Sequence, residues 1–318
     1  MGRAPPPPPI PHPSIPHPSP AMTRPLHSAV HRALAQASSG GQAARARTQL
    51  DRLGSQLATG LRIQRPSDDP AGFEQARALG RTGDRLAQVE RGLDAAQLWN
   101  DRTAAELGAL GDLFARAYEV GLGAANGVRD AEDFAREIDT LRAEAVERLN
   151  ATSGDERLFT GNETRTAPPD ASGAVVPGDF SGRRTREIAP GVTAAVNVPG
   201  SEALYVGGVA APDRLQALAD AVRAGDRDAL TAALGGVGEG RDHYIRLEGR
   251  TGTTARQLQD ARASAEAQRI AADEGRSRIE DADLAETLGA MQSQQTALEA
   301  ALRATASQVQ TTLLDYLR

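Results

Sequence analysis

The sequence predicts a mainly α-helical protein. The expected form is a long antiparallel helical rod with N- and C-terminal coiled-coil helices and a small β-rich inserted domain, α+β overall. Three observations carry this. Leu79, Leu86, Leu93, Asn100, Leu107, Phe114 and Gly121 recur every seventh residue, with Thr82, Val89, Ala96, Thr103, Leu110, Ala117 and Ala124 three places after each. A second stripe, Leu284, Leu288, Met291, Leu298, Leu302, Thr305, Val309 and Tyr316, with Gln295 and Thr312 as its polar positions, runs through the C-terminal segment in alternating steps of four and three. Such spacing marks a helix that wraps a partner helix. Between the two, prolines and glycines recur and short β-branched pieces replace the helical period, as small hairpins require.

Composition narrows the function classes. The chain has 318 residues, a net charge of -6 and 3% aromatics. An acidic chain poor in stacking rings is a poor nucleic-acid binder. It has no cysteine, so disulfides, thiolate nucleophiles and zinc–thiolate sites are out of reach. No run of about 18 apolar residues is present to span a membrane. All its basic residues are arginines, which by itself implies no chemistry.

Taken in order, residues 1–21 are proline-rich and predict a polyproline or disordered tail that is inert rather than a ligand for a proline-binding domain. Residues 22–60 predict an N-terminal coiled-coil helix whose second stripe is Leu50, Leu53 and Leu57. Ser38 to Gly41 should kink or weaken it, since each glycine costs a helix about 1 kcal/mol. Arg65-Pro66-Ser67-Asp68-Asp69-Pro70 is a turn in which Ser67 or Asp68 supplies the cap oxygen for the next helix. Residues 61–155 form the N-terminal half of the rod. A helix over 79–124 is about 69 Å long at 1.5 Å per residue, and Asn100 on its seam sets register. After Asn126-Gly127, the residues Phe134, Ile138, Leu141, Ala145 and Leu149 predict a shorter returning helix.

Residues 156–211 make the β-rich insert, with strand pieces at 174–176, 185–188, 192–198 and 204–206 and turns at Pro190-Gly191 and Pro199-Gly200. Residues 212–276 return as helix, with a flexible break expected at Gly235 to Gly240. Residues 277–318 form the C-terminal coiled-coil helix. Such narrow apolar stripes offset the ordering entropy only against a partner. The terminal helices are therefore expected to be partly disordered alone and to order on assembly.

Chemistry is hard to find. The acid clusters Asp68-Asp69 and Glu280, Asp281, Asp283, Glu286 lack EF-hand spacing and a nearby histidine, and read as helix-start charge and surface ion pairs. His27 and His31 share a helix face without a third ligand. There is no phosphate-cradling glycine motif after a strand and no nucleophile elbow. No catalytic residue, cofactor or metal is expected.

Two segments carry a resemblance. Gln56-Leu57-Ala58-Thr59-Gly60-Leu61-Arg62-Ile63, continued by Arg65 to Gly72, resembles the N-terminal signature of bacterial flagellins and their relatives. Ser277-Arg278-Ile279-Glu280-Asp281-Ala282-Asp283 resembles the C-terminal one. The similar segments span roughly 45–160 and 240–318. Within the superfamily, the prolines of Arg65–Pro70, the Leu313-Leu314-Asp315-Tyr316-Leu317 ending, Arg157-Leu158-Phe159-Thr160-Gly161, Ile188 to Gly191 and Val196 to Gly200 resemble the hook–filament junction branch. The resemblance implies a non-enzymatic axial protein, exported unfolded without a cleaved signal peptide and located in the extracellular flagellum. Its implied partners are further copies of itself in a ring, the hook-side junction protein, flagellin and a cytoplasmic export chaperone. The alternatives are flagellin itself, or a soluble coiled-coil adaptor or exported effector.

Overall fold

The computed structural model describes residue 2 and residues 24–127, 130–162, 168–170, 172–175 and 178–316, with side chains of the two terminal helices described from Gly41 and up to Ala304, and at Ala306. The elements are α1 (Arg24–Thr59), α2 (Pro70–Ala125), α3 (Ala131–Leu149), β1 (Thr152–Ser153), β2 (Glu156–Arg157), β3 (Thr185–Ala189), β4 (Val192–Ala195), α4 (Gly200–Ala203), β5 (Tyr205–Val206), β6 (Val209–Ala210), α5 (Ala211–Ala224), α6 (Arg227–Glu280) and α7 (Leu284–Tyr316). The protein is mainly helical, as the sequence predicts. Among the described residues its strands pair as three separate antiparallel hairpins, β1–β2, β3–β4 and β5–β6. Among the described residues no helix is long and apolar enough to cross a membrane.

The chain divides into two compact units, residues 74–278 and residues 1–73 with 279–318. In the first, α2 and α6 run antiparallel. Glu90 accepts from Arg269 at 3.0 Å, Asp94 pairs with Arg262 at 2.8 Å and Phe114 meets Tyr244 in a tilted ring contact with centroids 5.3 Å apart. The heptad residues Leu86, Leu93, Asn100, Leu107, Phe114 and Gly121 are all buried. Asn100 donates to the Thr251 carbonyl at 3.1 Å, a cross-helix bond that only one register satisfies. Around Phe114 and Tyr244 the core gathers α3, α5 and the hairpins through Phe134, Ile138, Phe159, Phe180 and Leu215.

The break expected at Gly235 to Gly240 is absent: α6 runs through it. These glycines serve close approach instead. A Cβ on Gly240 would lie 2.3 Å from the Phe114 ring, and one on Gly236 would lie 2.9 Å from Arg214. The Arg214 guanidinium, only 10% exposed, donates to the Val206 and Gly236 carbonyls at 2.6 and 2.9 Å and ties β5 to α6. The β3–β4 hairpin turns at Pro190-Gly191, where Gly191 has φ +79. Pro199-Gly200 is not a hairpin turn; Pro199 caps α4, and a Cβ on Gly200 would sit 2.0 Å from the Phe159 carbonyl oxygen.

In the second unit α1 packs on α7. No break interrupts α1 at Ser38 to Gly41, and the helix is continuous from Arg24 to Thr59. Helix stability in a folded protein comes more from packing than from propensity, so two glycines do not stop a helix that has a partner along it. The expectations for the tail at residues 3–21 lie outside the described residues, as do those for the side chains of His27, His31, Val309 and Tyr316.

Candidate functional site

The second unit contains a clasp made from the two signature segments. α1 ends at Gly60, whose φ of +73 is the left-handed conformation glycine adopts at a helix C-terminus. Its N–H returns to the Gln56 carbonyl at 2.8 Å. The chain then lies antiparallel to the segment after α6, with Leu61 opposite Asp281. The Arg62 N–H donates to the Glu280 carbonyl at 2.6 Å, and the Ala282 N–H to the Gly60 carbonyl at 2.8 Å. The Arg62 guanidinium reaches across 217 residues of sequence to the Ile279 carbonyl at 2.8 Å. Ile63, at 2% exposure, seals the inside of the joint.

The carboxylates of the signatures act on the backbone. Asp69 is the N-cap of α2, accepting from the Gly72 N–H at 3.0 Å, with Pro70 at the first helical position where its missing N–H costs nothing. The cap is therefore Asp69, not Ser67 or Asp68. Asp68 points back instead and accepts from the Gln64 and Arg65 N–H groups at 3.1 and 3.0 Å. Those two bonds, with the nearby Arg52 and Arg65 charges, hold its carboxyl below the usual range. Its ion pair with Arg52 spans 3.3 Å. At the other strand of the clasp Asp283 caps α7, accepting from the Ala285 and Glu286 N–H groups at 2.9 and 3.1 Å. Arg278 stays on its own helix, donating to the Glu274 carbonyl at 3.2 Å.

The structure divides the apolar stripe. On α1, Leu53 is buried and Leu50 and Leu57 are half-buried, with Ala46 buried one turn earlier. On α7 the inward row is Thr287, Met291, Gln294, Leu298 and Ala301, spaced four, three, four, three. Met291 and Leu298 of the predicted seam belong to it. Leu284, Leu288 and Leu302 do not: they are 51%, 50% and 54% exposed. Sequence reasoning missed Thr287, buried at 7%, because its hydroxyl hides on an apolar template. It donates to the Asp283 carbonyl at 2.6 Å, which makes a polar side chain acceptable in the row.

Two family models match the chain. The bacterial flagellin N-terminal helical region matches residues 30–164, and the bacterial flagellin C-terminal helical region matches residues 235–317. Together they take in both strands of the clasp and more than half of the chain.

The chain belongs to the flagellin superfamily.

Solved structures with the same fold accompany this superfamily assignment. A protein assigned as flagellar hook-associated from Vibrio parahaemolyticus is 21% identical with a TM-score of 0.62, covering 67% of this chain and 100% of that one. FlgL of Bacillus cereus is 17% identical with a TM-score of 0.55, covering 63% and 99%. The flagellar hook-associated protein-3 of Legionella pneumophila is 11% identical with a TM-score of 0.57, covering 64% and 98%. No curated protein sequence matches the chain. For this flagellin-superfamily chain, the clasp is where the two matched regions join, so the signatures are read as a single backbone joint.

Proposed function

We propose that the protein is a structural axial subunit of the bacterial flagellum, equivalent to hook-associated protein 3, which forms the hook–filament junction and seeds flagellin assembly. The observation that supports it most is that the chain spans 98–100% of the length of three solved structures, two named as hook-associated proteins and one as FlgL. The Leu313–Leu317 ending and the small insert agree with that branch. In this reading Leu284, Leu288 and Leu302, with Val309 and Tyr316, are covered by neighbouring copies. The seam Leu50, Leu53, Leu57, Met291 and Leu298 joins the chain's own two ends. Further partners are the hook-side junction protein, flagellin and, before export, a cytoplasmic chaperone on the C-terminal helix. The location is the extracellular flagellum.

A second reading is flagellin itself, favoured by the fact that both family models are flagellin's own. An epitope tag in the insert, imaged by electron microscopy on isolated flagella, separates the readings. A single band at the hook-proximal end is expected. Label along the whole filament makes the chain a flagellin. Absence of label returns the reading to an adaptor or exported effector.

A further inference from the structure

The protein has one tryptophan, Trp99, on α2 and 9% exposed. The Arg184 guanidinium covers its ring, with Cζ 4.2 Å from the centroid. Arg184 Nη2 donates to Glu156 Oε2 at 2.7 Å. Two donors are left over. Trp99 Nε1 and Arg184 Nη1 are both buried, and neither has a hydrogen-bond partner among the described residues. Both side chains line one small pocket of about 240 Å³, with Leu98, Glu156 and Arg186 at its wall. Leu98 is 68% exposed, the most exposed large apolar side chain among the described residues.

Buried donors in native proteins are nearly always satisfied, and a pair left unpaired beside one pocket calls for an acceptor from outside the chain. We propose that this pocket binds the carboxylate of an acidic side chain from a partner protein, whose adjoining apolar residue covers Leu98. A carboxylate is the acceptor the site fits. It carries two oxygens for two donors, and Arg184 and Arg186 outnumber Glu156 by one charge. A trapped water would satisfy the donors but leave both the excess charge and Leu98 unanswered. A free small anion would leave Leu98 open. The carboxylate takes Nη1 while Nη2 keeps its bond to Glu156. Both donor atoms are closed to solvent, so the carboxylate gains them only as the Arg184 side chain moves aside. The inference stands apart from the flagellar reading, since it uses only residues of the 74–278 unit.

The single tryptophan makes the pocket its own fluorescent reporter. The full chain is titrated at neutral pH and constant ionic strength with N-acetyl-leucylglutamic acid α-amide, its glutamine counterpart, acetate and chloride. A saturable change in emission is expected with the leucylglutamate, at roughly tenfold lower concentration than with acetate, the return from covering part of one leucine. The glutamine counterpart and chloride should give none. Arg184→Gln should abolish the response, and the exposed Leu98→Ala should erase the tenfold preference while leaving the acetate response. No saturation by any carboxylate, an equal response to the glutamine compound, or a response that survives Arg184→Gln overturns the site. Equal concentrations for acetate and leucylglutamate overturn the protein partner.

Discussion

The two units of this protein are stabilised by different means. In residues 74–278 large side chains close on one another: Phe114, Tyr244, Leu107, Leu110, Ile138, Leu149 and Phe159 are all buried. Burial there raises the Tyr244 phenol well above its ordinary titration range, and its hydroxyl donates to the Ala203 carbonyl at 2.9 Å. Charge is handled internally too. Glu106, with a side chain 6% exposed, is held by Arg102 at 2.8 Å and Arg148 at 3.3 Å. In the other unit the described buried side chains are few, Ala46, Leu53, Ile63 and Thr287. Its joint is made of backbone bonds and caps, and three leucines of α7 stay half exposed. One unit completes its core from its own chain. The other buries little of its own apolar stripe, although exposed apolar side chains occur in both units, Leu98 and Ile245 in the first among them.

The sharpest test of that contrast is Phe114→Ala. It should cost about 3–5 kcal/mol of unfolding free energy in denaturant titration. A loss under about 1 kcal/mol, the range of peripheral sites, would break the distinction. Next, Asp283→Ala should cost about 1 kcal/mol by removing the α7 cap. Hydrogen exchange should place that loss in α7 and leave α5 unchanged; equal loosening of both would mean the units unfold together. Leu302→Asp should move unfolding by no more than about 0.5 kcal/mol, because the site is a surface one, yet block incorporation into flagella. Normal swimming by that variant would refute the role given to the exposed stripe.

The smallest effect is a pH dependence. Asp68 has its carboxyl lowered from 3.8, chiefly by the Gln64 and Arg65 N–H groups. A lowered folded value means its contribution is fully present above the unfolded pKa. It is then lost as pH falls through the folded one. Protease sensitivity of the 64–68 turn should therefore rise on acidification below about pH 4. In Asp68→Asn it should be higher at neutral pH and nearly independent of acid. An unchanged acid profile in the variant would remove Asp68 from the account.

Much of the fold can be read along the chain, and particular residues show where reading stops. The heptads of α2 predict its buried row from Leu86 to Gly121, because helical period alone puts those side chains on one face. The clasp is visible only as two motifs, since nothing along the sequence says that Leu61 pairs with Asp281. Three oxygen-bearing residues stand together at 67–69, and only backbone geometry selects Asp69 as the cap while Asp68 turns back to Gln64. Gly240 looks like a break until Phe114 is seen against it.

By itself, then, the sequence determined the helical class, the heptad register of α2, the β3–β4 hairpin with its Pro190-Gly191 turn, and the superfamily signatures. These depend on local period, turn chemistry and residue identity, which a linear chain carries. Tertiary structure alone decided which leucines of α7 turn inward, why Gly235 to Gly240 stay helical, and that Trp99 and Arg184 share a pocket with two unpaired donors. Each of these depends on a neighbour distant in the chain, and a helix's own period cannot say which side of a wide apolar stripe its partner will cover.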